Sequence, residues 1–258
     1  MPRVALFVPC YVDHLAPQVA MATAELLEAY GCEVEFPEAQ GCCGQPMANL
    51  GCRPQARPLA LRFAGVFGAD RYDHVVAPSG SCVAMVRHHY AELAKTAGER
   101  EALTVVANRT RELCEFLVDV LGVERIEGHY PHRVGLHRGC HGLRELRLGT
   151  PSEWPGPAFD KVEGLLASID GLELMPLERR DECCGFGGTF AVAEEAVSAR
   201  MGRDRLADHG RAGAERIAST DVSCSLHLAG LAKRDGRALP LVHVAEVMND
   251  ARKAGAKP

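Results

Sequence analysis

Two half-chain copies of one cysteine pattern constrain this sequence more than any other feature. Cys10, Cys42-Cys43-Gly44 and Cys82 occupy the first half; Cys140, Cys183-Cys184-Gly185 and Cys224 occupy the second. From doublet to last cysteine the spacing differs by one residue between the copies. Eight of the eleven cysteines fall into these two quartets. Cys32, Cys52 and Cys114 stand outside them and are expected to be ordinary small apolar or partly exposed residues.

The hydrophobic rhythm repeats with the cysteines. Short apolar or alternating runs at 4–9, 33–36 and 74–77, and again at 133–137, 172–176 and 216–218, read as strands. Helical spacing fits 17–30, 58–67, 85–95 and 110–121 in the first half, and 159–169, 191–209 and 241–251 in the second. Strands alternating with helices favour a parallel sheet covered on both faces. The expected fold is α/β, as two pseudo-symmetric Rossmann-like modules with mainly parallel sheets. The first module is expected over 1–127 and the second over 128–258, with the join in the polar, turn-forming stretch 122–132.

Each quartet member follows a predicted strand. In a parallel sheet all carboxyl ends share one edge, so residues distant in sequence converge there. Successive side chains on an extended strand point to opposite faces, so aiming both thiols of a doublet at one centre requires the backbone to turn. Gly44 and Gly185 supply that freedom and let a bulky cofactor approach the backbone. Four thiolates suit zinc or an iron–sulfur cluster. All-cysteine zinc sites usually use C-x₂₋₄-C knuckles, which neither quartet contains, and adjacent thiolates crowd a single ion. Iron–sulfur is therefore the leading expectation; zinc, or buried thiols holding no metal, stay as alternatives.

Composition narrows the setting. The net charge of −5 offers no broad basic field to nucleic acid or anionic lipid. No run of about 18 apolar residues predicts a transmembrane segment, and the start lacks signal-peptide features. The expected location is cytoplasmic, where thiols stay reduced and an odd cysteine count argues against a disulfide framework.

Taken together, the stretches VPCYVDHLAPQV, GCCGQPMANLG, PSGSCVAMVRHHY and ECCGFGGTFAV resemble the CCG-domain (cysteine-rich) iron–sulfur proteins. That family includes the cysteine-rich component of heterodisulfide reductase, the glycolate oxidase iron–sulfur subunit and a component of anaerobic glycerol-3-phosphate dehydrogenase; the likeness is strongest to its lactate-utilization members. The resemblance implies an electron-transfer subunit of a complex that oxidises L-lactate to pyruvate, with two [4Fe–4S] clusters and partner subunits that include a ferredoxin-type iron–sulfur protein. Heterodisulfide-reductase-like thiol or disulfide chemistry is the alternative it suggests, and a zinc-stabilised binding module without redox activity is a third reading. In the heterodisulfide reductase version each module ends Cys-x-x-Cys. Here Met85 and His227 hold the last position, so one four-thiolate cluster per module is the simpler expectation, with His227 as a possible extra ligand.

Oxidising a 2-hydroxy acid calls for a base near neutrality and a cation for the carboxylate. His14, His137, Arg138 and His141 flank cluster cysteines and are candidates, His141 and His14 for direct catalytic use. Each also has a plain reading as a surface residue or hydrogen-bond donor. Arg179 and Arg180 precede the second doublet, as counter-charges or a solvated pair. Trp154 lies in a proline-rich loop expected to cover a cluster, meet a partner or simply connect.

Overall fold

The computed structural model describes residues 1–237 and 239–255. Two four-stranded sheets carry the architecture. Strands β1 (Arg3–Leu6), β2 (Glu33–Glu35), β3 (His74–Ala77) and β4 (Thr110–Glu112) form the first, in the order β2-β1-β3-β4. Strands β5 (Arg133–His137), β6 (Glu173–Leu174), β7 (Arg216–Ser219) and β8 (Leu241–His243) form the second, in the order β6-β5-β7-β8. Every pairing is parallel, with Val4 opposite Val34 and His74, and Val134 opposite Leu174 and Arg216. The central strands are apolar along their length because helices cover both faces; Val4, Ala5, Val75, Val76 and Ala77 are all fully buried.

The order reverses between β1 and β3, and again between β5 and β7. At such a switch point the connections leave in opposite directions and open a crevice at the carboxyl ends. Cys10 opens the helix Cys10–Leu15 after β1, and Cys82 lies in the helix Gly80–Ala84 after β3. Cys140 and Cys224 follow β5 and β7 in the same way.

Two expected helices need correction at their starts. The stretch 110–121 begins with β4, and helix follows only from Leu113; 241–251 begins with β8, before the helix Val244–Gly255. Each strand is three residues long and runs straight into a helix, so its contribution merges into the helical periodicity. The helices Ala97–Arg109 and Val222–Arg234 are additions to the sequence expectation. The helix expected over 58–67 starts at Arg53, with Pro58 inside it.

The halves interlock. Helix Val244–Gly255 follows β8 yet packs on Pro17–Ala29 of the first half, where Glu25 meets Asn249 and Lys253. Reciprocally, the helical turns after β4 pack on Lys161–Ala167, and Asp119 pairs with Lys161. One continuous buried core includes Leu26 and Leu27 together with Val247 and Met248.

Asp221 makes the innermost link. Its carboxylate, 2% exposed, accepts from Ser79 Oγ (2.7 Å), Ser81 Oγ (2.8 Å) and Ser81 N–H (3.1 Å). It thus caps, from the second half, the helix that carries Cys82. Ser79 and Asp221 are equivalent positions, each three residues before the last cysteine of its quartet. Here the backbones nearly touch: a Cβ on Gly80 would stand 3.0 Å from Gly142 Cα.

A second clamp holds the loop before the second doublet. Arg205, fully buried on helix Glu195–Arg211, donates to the carbonyl of Arg179 and pairs with Asp208 at 3.2 Å. Asp208 accepts from the backbone N–H groups of Glu178 (3.3 Å) and Arg179 (3.1 Å).

Both clamps can be tested by their loss. Asp221→Ala strands three donors between the halves and should cost about 2–3 kcal/mol, with Asp221→Asn costing less because one acceptor oxygen remains. Arg205→Ala leaves Asp208 buried with Arg211 as its remaining cation and should cost about 3 kcal/mol, the low end for a broken buried pair. Urea midpoints check both; a shift below the equivalent of about 0.5 kcal/mol in either would show that the clamp is not structural.

Candidate functional site

The fold gathers each quartet at one sheet edge. In the first half, thiol contacts run in a chain from Cys10 to Cys42, Cys43 and Cys82, with Cys10 and Cys42 sulfurs 3.9 Å apart. In the second, they run from Cys140 to Cys183, Cys184 and Cys224 in the same order. Both chains open on a single cavity of about 310 Å³, and all eight cysteines line it. Cys32, Cys52 and Cys114 do not.

The turn that aims each doublet depends on its glycine. Gly44 (φ 83°) and Gly185 (φ 86°) are left-handed, and a Cβ on Gly185 would lie 2.6 Å from the Ser198 carbonyl. The turned backbone faces sulfur with N–H groups: Gly44 N–H donates to Cys42 Sγ (3.4 Å), Gly185 N–H to Cys183 Sγ (3.3 Å) and Phe186 N–H to Cys184 Sγ (3.4 Å). Hydrogen bonds from Cys10 and Cys43 hold the Cys42 thiol well below its ordinary pKa, and those from Cys140 and Cys184 do the same for Cys183. The donors Cys10, Cys43, Cys140 and Cys184 are pushed up correspondingly. Four clustered thiols with backbone amide donors turned toward their sulfurs are the donor set of a metal or iron–sulfur site.

Two helical segments beside the cysteines are π-turns. Met85–His89 continues the helix of Cys82, and His141–Glu145 begins directly after Cys140. Such turns are rare and cluster at functional sites. Tyr11 and Phe186 meet edge to face at 5.9 Å, one from each half, and both line the cavity. Besides the thiols, the ionisable groups of the lining are Tyr11, His141 and Asp221; it contains no lysine or arginine among the described residues.

His141 lines the cavity and is held by Glu145, whose hydrogen bond raises the imidazole pKa; Glu145 also receives His89 at 3.3 Å. His14 points to solvent beside Asp13 and does not reach the cavity. Arg138 is paired with Asp160 and Glu163 away from it. Arg179 pairs with Glu182 (2.9 Å) and Arg180 with Asp181 (3.3 Å), so their side chains serve the loop. Trp154, 40% exposed, stacks under Arg147 at 4.9 Å, outside the cavity. Met85 is buried beneath the cysteine helix without lining the cavity, and His227 Nε2 lies 3.5 Å from Ser198 Oγ.

His137 occupies a different position. The last residue of β5, it is fully buried, and neither ring nitrogen has a hydrogen-bond partner among the described residues. A ring nitrogen, Cys184 Sγ and Cys224 Sγ all lie within 4.8 Å of one another. Burial pushes its pKa down to about 3, which keeps the imidazole neutral, the form that binds metal. Sequence reasoning groups His137 with catalytic bases and passes over Asp221, Ser79, Arg205 and Asp208. The signal for Asp221 is its equivalence to Ser79; Arg205 and Asp208 sit on a helix face whose burial no local pattern marks.

Comparison with known proteins agrees with this architecture. The CCG cysteine-rich domain matches twice, over residues 4–87 and 134–229. Lactate utilization protein A of an Exiguobacterium species is 38% identical over 253 residues, 98% of this chain and 99% of that one. The protein of the same name from Halalkalibacterium halodurans is 39% identical over 249 residues, 96% of each chain. Among solved structures, a hypothetical protein from Helicobacter pylori shares the fold with a TM-score of 0.62 at 12% identity, over 99% of this chain and 49% of that one. Two matched cysteine-rich segments and full-length relatives place the chain: it belongs to the CCG cysteine-rich domain family, with lactate utilization A proteins among its relatives.

Proposed function

We propose that this chain holds two iron–sulfur clusters, one per quartet, and passes electrons within a complex that oxidises L-lactate to pyruvate. The observation that carries this reading is the single cavity lined by both quartets. Two redox centres opening on one space exchange electrons without an intervening protein layer. When bound, a four-iron cluster supplies one-electron storage at a potential set by net charge, hydrogen bonds to sulfur and exposure. The protein contributes the thiolates, the amide donors at Gly44, Gly185 and Phe186, and the edge-to-face pair Tyr11 and Phe186 on the cavity wall. Lactate comes from the names of the relatives. With no arginine or lysine on the cavity wall, the lactate carboxylate finds no guanidinium or ammonium there, so we place its oxidation on a partner subunit and electron transfer on this chain. Met85 and His227 stand where heterodisulfide reductase has its fifth cysteines, which separates this reading from thiol and disulfide chemistry. The wealth of reduced thiols suits the cytoplasm.

A second reading has one specific support. Two thiolates on one tetrahedral ion at about 2.3 Å stand roughly 3.8 Å apart, close to the 3.9 Å between Cys10 and Cys42. A single zinc ion per quartet fits that pair. Iron and acid-labile sulfide on anaerobically purified protein decide between the readings. About eight of each per chain are expected for two four-iron clusters, with Cys42→Ser and Cys183→Ser each removing about half. Zinc without sulfide would establish the mononuclear reading and end the electron-transfer one.

A further inference from the structure

The two quartets are built alike, but the residue three places before the first cysteine differs. In the first half it is Phe7, which packs edge to face against Phe63 (4.9 Å) and Phe67 (5.6 Å) and finishes an apolar core. In the second half it is His137. A buried imidazole with both nitrogens unpaired has lost the hydration of two polar atoms without replacement, and native structures rarely leave such a group without a reason. Its charged neighbours do not relieve it. Arg205 directs Nε to His209 and Nη1 to Asp208 and the Arg179 carbonyl, and its Nη2 makes no hydrogen bond to His137; Arg138 pairs with Asp160 and Glu163. What lies within reach is sulfur: Cys184 and Cys224, both members of the quartet.

His227, which the sequence singles out as a possible extra ligand, has a different environment. Its ring lies beside Ser198 Oγ and against Phe186, so it has a protein partner and an aromatic neighbour. The orphaned nitrogen aimed at the second quartet belongs to His137.

We infer that His137 is a nitrogen ligand to the metal centre of the second quartet, so that the chain holds two chemically unequal centres: sulfur-ligated in the first half, sulfur- and nitrogen-ligated in the second. The inference rests on the iron–sulfur reading proposed above. Neutral imidazole is a suitable iron ligand. With His137 taking one iron position in place of a quartet thiolate, neutral nitrogen replaces anionic sulfur, which raises a cluster's reduction potential as histidine ligation does in Rieske centres. The second centre is then the more oxidising of the two, and an electron shared by the pair resides preferentially there. Phe7 cannot ligate, so the first half has no counterpart to this device.

The test uses the full chain, purified anaerobically, with ¹⁵N-histidine incorporated and the clusters partly reduced. Hyperfine spectroscopy should show strong coupling from a histidine nitrogen in the signal that reduces first. That coupling should vanish in His137→Phe, which copies Phe7, and persist in His227→Phe. In a redox titration His137→Phe should move the more positive midpoint down and leave the other in place. If His137→Phe loses its cluster, the labelled wild-type spectrum still decides. Iron and sulfide at full content with no histidine coupling, or with the weak coupling of a ring that merely hydrogen-bonds, overturns the ligand while leaving the electron-transfer reading intact. A coupling that survives His137→Phe and disappears in His227→Phe overturns it equally. Protein without iron and sulfide removes both together.

Discussion

Parallel pairing is the constraint on which everything else in this protein depends. It sends the carboxyl end of every strand in a sheet to the same edge, and the order β2-β1-β3-β4 opens a crevice on that edge between β1 and β3. A cysteine after β1 and another after β3 are thereby neighbours, although Cys10 and Cys82 are far apart in sequence. The doublet after β2 completes the set because Gly44 lets the backbone turn back on itself. The second sheet repeats the arrangement strand for strand. The sheet thus brings the thiols of each quartet to one edge.

The two halves repeat one plan, and the differences between equivalent positions say more than the likenesses. Ser79 and Asp221 occupy matching places and bond to one another, a hydroxyl donating to a carboxylate. A symmetric pair of carboxylates at that buried point would repel, and a symmetric pair of serines would leave the Ser81 amide without an anionic acceptor. Phe7 and His137 diverge in the same manner, one closing a core and the other presenting nitrogen to a quartet. Duplication supplies two similar sites, and these substitutions make them unequal.

Sequence rhythm locates the central strands because parallel strands buried on both faces are continuous apolar runs, as in VALF, HVVA and RVGLH. It loses β4 and β8 for a physical reason. Three-residue edge strands that run directly into helices have no apolar run of their own, and Thr110-Arg111-Glu112 carries mixed side chains whose burial comes from packing. Likewise the quartets are legible because cysteine is rare and its spacing repeats. Arg205 and Asp208 are not, since an arginine and an aspartate on a helix usually face solvent, and here the loop ahead of the second doublet buries both.

The α/β class, the duplication, the eight cysteines and the glycines that turn their doublets are all legible in the chain before it folds. Each of these is encoded in residue type and spacing along the chain. Only the packed fold sets both quartets on one cavity, packs the last helix of each half on the other, and leaves His137 beside Cys184 and Cys224 with no hydrogen-bond partner among the described residues. Those facts depend on how two sheets are set against each other. That is a property of the packed interface between them, where Gly80 and Gly142 let the backbones approach and Asp221 supplies the bond that holds them.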